Sequence, residues 1–442
     1  MSARSFFLPH SPECVEKLSE KLCNGAGSSL LVLARPKKGA SVEGNIHPSR
    51  QARLSVMLVA TVAALAACLV ALLWLQAEPV HSATIVPKRF TDSLVARVNN
   101  PTSMAIAPDG RIFVAQKGGK LRVIKNGQLL SKPFLTLTTD TQFFRGLLGV
   151  AFDPNFSTNH YVYVFYTATS PNLHDRVSRF TANGDVAVAG SEKVLLDLPD
   201  FPNPNQGAHY GGSLRFGADG KLYVGVGDGD NNASDAKLHR YSQSLDNLNG
   251  KILRINSDGT IPTDNPFYGP TSGDDHIWAL GLRQPISLDV QSGTGRMFVN
   301  EVGEDSWEEI DGVAQGANYG WPDYEGFAPS PPSLQNYQDP LLAYPHPAIS
   351  PDPAVATGCS ITGGAFYDPT TATNSFASYQ GKYFYTDYCS GWIRSFDPAT
   401  GTSAAFASGI VNPVDLEVGD NGSLYYLFRG SSSVSAAVRQ IR

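Results

Sequence analysis

The chain has 442 residues, 42 of them Gly and 30 Pro, with 10% aromatics and only 17% charged residues. Its net charge of −6 divides unevenly: residues 1–53 hold eight Lys/Arg and four Glu (+4), and the remainder 26 basic and 36 acidic residues (−10). The length allows one large or two to three ordinary domains, the composition suits many short strands joined by tight turns, and the acidic body excludes a nucleic-acid partner, which needs clustered Lys/Arg.

In chain order, residues 1–53 lack sustained apolar periodicity and predict a disordered cytoplasmic tail. Leu54–Ala77 is an uncharged apolar run. At about 1.5 Å per residue it would span a hydrocarbon core of about 30 Å as a helix. Arg50 and Arg53 precede it, with Lys37 and Lys38 further back, so the positive-inside rule places the acidic body outside the cytoplasm. A membrane anchor and a signal peptide cleaved near Ala77 or Ala83 both fit, and both mean export to the periplasm or medium. Residues 78–88 read as a linker, and 89–442 as the folded body.

Within that body one pattern recurs: an Asp/Asn/Gly turn followed by a short β-branched or aromatic strand. It occurs at Asp109–Val114, Asn159–Val164, Asp219–Val224, Gly295–Val299, Gly381–Tyr385 and Asn421–Leu427. A second strand follows at Gly119–Ile124, Arg176–Phe180 and Trp392–Phe396. Roughly 60 residues per unit suffice for four short strands, and radial closure of such sheets hides their edges. The expected fold is therefore all-β, a six-bladed propeller of four-stranded antiparallel blades. The Pro-rich stretch Pro329–Pro353 is expected to be a long loop. Of five cysteines, only Cys359 and Cys389 lie in the body. In an oxidising compartment they read as one disulfide, the alternative being two buried thiols.

Six segments occur in a telling order: Phe144–Phe156 (FRGLLGVAFDPNF), His209–Asp228 (HYGGSLRFGADGKLYVGVGD), Leu248–Ile255 (LNGKILRI), Ile277–Pro285 (IWALGLRQP), Glu308–Ile310 and Asn318–Pro322 (NYGWP). Together they resemble the glucose/sorbosone dehydrogenase family, over roughly residues 90–430. Soluble members of that family are six-bladed propellers that oxidise sugars with pyrroloquinoline quinone (PQQ) and calcium. Hedgehog-interacting proteins share the propeller without known dehydrogenase chemistry. The implied activity is a PQQ- and calcium-dependent oxidation of a sugar or related alcohol or aldehyde, with electrons passing to an external acceptor. The alternative is a non-catalytic extracellular propeller that binds a protein or glycan.

Such an oxidation needs a base for the hydroxyl proton, an acceptor for the hydride and a cation near the acceptor. His209, in a Gly-rich loop, is the candidate base; alone, a loop histidine is more often a surface residue. Asp228 ends the next strand, where its carboxylate can orient the histidine, although GDGDN is also an ordinary turn. Arg283 and Gln284 map to an Arg-Asn pair that touches the cofactor in the family, and Arg145 is a further cofactor candidate. The resemblance places calcium at the turn Gly303–Glu304, and a second calcium at Glu309 and the carbonyl of Tyr319. Glu308 and Glu309 read otherwise as a solvated pair, Tyr319 and Trp321 as propeller core.

The chain also departs from the family pattern. Where the quinoprotein glucose dehydrogenases carry a lysine after a fifth-blade strand and two arginines near the sixth, this sequence has Asp387–Gly391 and Val411–Asp415, without a cation. Phe144 stands in place of a glutamine that contacts the quinone. These departures resemble the sorbosone or aldose dehydrogenase branch, whose motifs also surround Cys359 and Cys389 and support their pairing.

Overall fold

The computed structural model describes residues 84–201, 207, 209–229, 240–270, 273–329, 333–347, 355–370 and 374–442. The predicted tail, the apolar run 54–77 and the first part of the linker lie outside the described residues. Among those described, no helix is long and apolar enough to cross a membrane.

Six antiparallel sheets follow one another along the chain. Their innermost strands are Pro101–Ile106, Leu147–Phe152, Leu214–Phe216, Pro285–Val290, Ile361–Phe366 and Pro413–Val418. Each packs against the next, and the sixth returns to the first, so the six sheets are blades around a common axis. The sixth blade is completed from the other end of the sequence. Asp92–Arg97 pairs with Ala437–Ile441 as its outermost strand and ties the ring shut.

The recurrent strands of the sequence are the second strands of the blades. Ile112–Gln116, Leu222–Val226, Met297–Glu301 and Tyr383–Asp387 are buried at every position. A neighbouring blade covers each face of such a strand, which explains its nearly continuous apolar character. Six hydrophobic clusters result, one at each junction between blades. At the first junction Phe113 of blade 1 meets Leu147, Val150 and Val162 of blade 2. At the closing junction Ile112 and Met104 meet Leu427 and Val438.

Two expectations need adjustment. The Pro-rich stretch is not wholly loop: Leu342–Pro345 is the outermost strand of blade 4, paired with Trp307–Ile310. An outermost strand has one unpaired edge, so a proline at its end removes no ladder bond. Glu308 and Glu309 are not a solvated pair, since both are buried on opposite faces of Trp307–Gly312.

Candidate active site

The connections into the innermost strands and out of the second strands open on the same face of the ring. His209 precedes Leu214–Phe216, and Asp228 follows Leu222–Val226. Blade 3 therefore returns Asp228 beside His209. His209 Nδ1 lies 2.8 Å from Asp228 Oδ1, the imidazole 15% exposed and the carboxylate fully covered. A carboxylate oxygen accepts, so Nδ1 carries a proton, and in the neutral imidazole Nε2 is then the acceptor nitrogen. Among the described residues Nε2 has no hydrogen-bond partner.

The local sequence makes this approach feasible. His209 has φ 58°, in the left-handed region that side chains rarely adopt. Its carbonyl accepts the Gly229 N–H at 3.1 Å. A Cβ on Gly227 would stand 1.8 Å from that same carbonyl, so the glycine of Val-Gly-Asp is required by contact.

Trp321 completes the arrangement. Its Nε1–H donates to Asp228 Oδ2 at 2.8 Å, so the carboxylate is held on both oxygens. Below it, the wholly buried Lys251 ammonium donates to the carbonyls of Tyr241, Ser242 and Asn249 at 2.6, 3.0 and 2.7 Å. Burial lowers that lysine to about 7, with the charge of Asp228 acting in the opposite direction. Asn249 in turn donates from Nδ2 to the Asp228 carbonyl.

Arg283 converges on the same place from blade 4. Its carbonyl accepts the Asp228 N–H at 2.8 Å. Its guanidinium lies 5.5 Å from the Trp321 ring centre and donates through Nη1 to the Gly303 carbonyl at 2.6 Å. Its Nε is buried without a hydrogen-bond partner. Gln284 turns its Oε1 to the Gly211 N–H at 2.9 Å, which holds the histidine loop. Both backbone N–H groups, of Arg283 and Gln284, donate to Glu301 Oε1. Arg145 is fully covered and pairs with Asp140 at 2.8 Å. It sits 5.8 Å from the Phe201 ring centre and 6.0 Å from that of Tyr210, the residue after His209.

The residues expected to hold calcium separate into two places. Gly303 and Glu304 form a tight turn whose following N–H groups, of Glu304, Ser306 and Trp307, all donate to Glu325 Oε1 at 2.9 Å. Glu309 lies elsewhere in blade 4, across the ladder from Glu301 and two residues before Asp311 on the same face. Both Asp311 carboxylate oxygens and Glu301 Oε2 are buried without a hydrogen-bond partner. Burial pushes Glu309 up to about 8, and burial with the charges of Glu309 and Glu301 pushes Asp311 well above the carboxylate range. Three buried carboxylates, two of them with orphaned oxygens, are hard donors of the type calcium takes. Tyr319 lies alongside, its hydroxyl donating to the Gly312 carbonyl at 2.7 Å. Among the described residues, no group of three or more His, Cys, Asp or Glu is placed to hold a metal ion. Glu308 faces the other way, accepting from His346 Nε2 at 2.6 Å and from the Ile361 N–H at 2.7 Å.

Cys359 and Cys389 form a disulfide on the same face in blade 5, with Cα atoms 5.7 Å apart. Asp387 sits between the joined loops and accepts four backbone N–H groups, from Cys359, Ser360, Cys389 and Ser390. Sequence reasoning did not find the roles of Trp321, Lys251, Glu301 or Asp311. Only the NYGWP and LNGKILRI motifs marked the first two, and nothing marked the acids.

Comparison with known proteins agrees with this architecture. The profile of the family described as Glucose / Sorbosone dehydrogenase matches residues 98–433. The HIPL2 protein of Arabidopsis thaliana is 30% identical over 64% of this chain and 50% of its own length. Quinoprotein glucose dehydrogenase B of Acinetobacter calcoaceticus is 32% identical over 53% of this chain and 52% of its own length. The matches thus span about half of each of these relatives. Among solved structures, a putative oxidoreductase (glucose dehydrogenase) of Thermus thermophilus superposes with a TM-score of 0.66 at 26% identity. That match covers 80% of this chain and all of that one.

Proposed function

The chain belongs to the glucose/sorbosone dehydrogenase family, and we propose that it oxidises a sugar, or a related alcohol or aldehyde, with PQQ as hydride acceptor and calcium as a bound cation. The observation that carries this reading is the hydrogen-bonded line Trp321–Asp228–His209 beside the Arg283 guanidinium. His209 Nε2 takes the proton of the substrate hydroxyl as the carbon loses its hydride. Asp228 holds the ring in the required tautomer and stabilises the imidazolium that forms. Bound PQQ would supply the hydride acceptor, and an external acceptor would reoxidise it.

The residues present fit an anionic quinone. Arg283 offers an unpartnered buried Nε and a planar guanidinium suited to carboxylates. Calcium binding would require Glu301, Glu309 and Asp311 to close on the ion, which would neutralise their buried charge. Export is supported by the apolar run 54–77 and the disulfide, which belongs to an oxidising compartment. If 54–77 is uncleaved, the same run attaches the propeller to the membrane.

The test is reduction of a dye by the full chain with a panel of aldoses, in the presence of added PQQ and calcium. Activity that depends on the quinone and falls about 10²–10⁴-fold in His209→Ala is the expected result. Absence of quinone-dependent turnover across the panel, or an unaffected variant, would overturn it. The cation-free loops Asp387–Gly391 and Val411–Asp415 favour a second reading, a non-catalytic propeller that binds a protein or glycan. That reading predicts partner binding without any response to PQQ.

A further inference from the structure

We propose that Lys117 and Arg429 form a carboxylate-binding subsite on the face that carries His209, at the junction of blades 1 and 6. The inference deepens the dehydrogenase reading, on which it rests, by locating positive charge that the loops Asp387–Gly391 and Val411–Asp415 lack.

Topology places the two residues. Lys117 follows the second strand of blade 1, Ile112–Gln116, and Arg429 follows the second strand of blade 6, Leu424–Phe428. Asp228 and Gly303 lie one residue further along the same connections, after the second strands of blades 3 and 4. All four therefore ring one end of the axis. The backbone pins both cations there. The Lys117 N–H donates to the Asn100 carbonyl at 3.0 Å and its carbonyl accepts the Leu147 N–H at 3.3 Å; the Arg429 N–H donates to the Asn412 carbonyl at 2.8 Å.

Their charges are not compensated. Lys117 Nζ donates to the Phe143 carbonyl, which leaves two of its three donors. Among the described residues the Arg429 guanidinium has no hydrogen bond or ion pair, and its Nε is buried. Burial, then the charges of Arg429 and Arg145, lower the Lys117 ammonium, with Asp140 alone opposing them. Asp140 is already bound to Arg145 at 2.8 Å. Asp140 and the buried Asp175 both act on Arg145, so Lys117 and Arg429 keep a surplus of positive charge between them, a juxtaposition that costs stability until an anion arrives. A planar guanidinium with an ammonium beside it suits a carboxylate. By contrast, the corresponding blade 5 loop is closed by the disulfide and by an Asp387 saturated with N–H donors.

The carboxylate can come from the quinone or from an acidic sugar, and the two sources are separable. PQQ is titrated into the full chain without cofactor, with binding read by tryptophan fluorescence and calorimetry. In parallel, glucuronate and glucose are titrated with and without PQQ. Lys117→Gln and Arg429→Gln are compared with the wild type, each checked by its melting temperature. If the quinone supplies the carboxylate, each variant weakens PQQ by about tenfold or more. If the sugar supplies it, PQQ is unaffected and the preference for glucuronate over glucose falls by about the same factor. Unchanged affinities for both ligands in both variants overturn the subsite. Should the wild type bind no PQQ, the dehydrogenase reading fails by itself, and the glucuronate arm still decides: loss in the variants supports the subsite, and no binding to the wild type removes it. Should Lys117→Gln not fold, Arg429→Gln, which breaks no side-chain bond, carries the test, with Arg429→Lys expected to restore part of the affinity.

Discussion

Trp321 and Asp228 lie 93 residues apart in the chain and meet through one hydrogen bond, Nε1 to Oδ2 at 2.8 Å. The bond crosses from blade 4 to blade 3 and fixes the carboxylate whose other oxygen holds His209. Trp321→Phe keeps an aromatic ring near Arg283 and removes only the donor. A hydrogen bond to a charged group is worth roughly 1.5–3 kcal/mol, so kcat should fall by about tenfold or more. KM should hold, because the indole orients the base and does not bind the sugar. A rise in KM with kcat intact would show that Trp321 serves the substrate directly.

The carboxylates Glu301, Glu309 and Asp311 make a second prediction. The orphaned oxygens of Glu301 and Asp311 burden the protein without a cation, so calcium should raise the melting temperature and a chelator lower it. Asp311→Asn removes one of the acids. It should raise the melting temperature of chelated protein and shrink the increment that calcium gives. Calorimetry on wild type and variant, each with chelator or calcium, checks both signs. A melting temperature indifferent to calcium would leave these carboxylates as a purely structural cluster.

How far the sequence spoke depends on burial. The Asp/Gly turns and following strands were legible because second strands are covered on both faces and must be apolar throughout. Leu214–Phe216 is three residues long, and Leu342–Pro345 hides in a Pro-rich stretch, so neither stands out. The closing strand Asp92–Arg97 belongs to a blade whose other strands lie more than 300 residues away, which no local repeat reveals. At the site, His209 and Asp228 were legible as a motif. Lys117 and Arg429 were not, because charges at strand ends become neighbours only once blades 1 and 6 are joined. Glu309 and Asp311 flank Ile310 in a pattern that reads as one solvated face, and Glu301 follows the polar Asn300 at a strand end, yet all three are buried.

The disulfide should contribute stability more than activity. Its cysteines are 30 residues apart, and cross-linking such a loop restricts the unfolded chain by about 3–4 kcal/mol. The four N–H groups on Asp387, with the Tyr344 hydroxyl at 3.0 Å, hold the same loops independently. The double variant Cys359→Ser/Cys389→Ser should therefore melt several degrees lower and keep its affinity for PQQ. Loss of PQQ binding at a temperature where the variant remains folded would show that the loops depend on the covalent link.

The final prediction concerns the axial channel, where Arg215 of blade 3 meets Asp289 of blade 4 at 2.7 Å and Glu417 of blade 6 at 3.3 Å. Asp415 lies on the same inner strand as Glu417 and accepts the Met104 N–H at 2.7 Å. Three carboxylates thus share one guanidinium inside a bore that leaves Arg215 25% and its two partners 12% exposed. Burial, with Glu417 adding, pushes Asp415 up to about 8; burial, against the pull of Arg215, pushes Glu417 up to about 7 and raises Asp289. Each folded-state value exceeds the unfolded one, so the folded protein binds more protons between about pH 4 and 8. Their contribution to stability is complete below the unfolded pKa and is lost as pH rises through the folded values. The melting temperature should therefore fall from about pH 5 to 8. Asp415→Asn keeps an acceptor for Met104 but cannot ionise, and should flatten that slope. Each unit of displaced pKa corresponds to at most about 1.4 kcal/mol. A wild-type melting temperature that rises over this interval, or an Asp415→Asn slope equal to that of the wild type, would mean that the channel stays charged and that Arg215 balances all three acids.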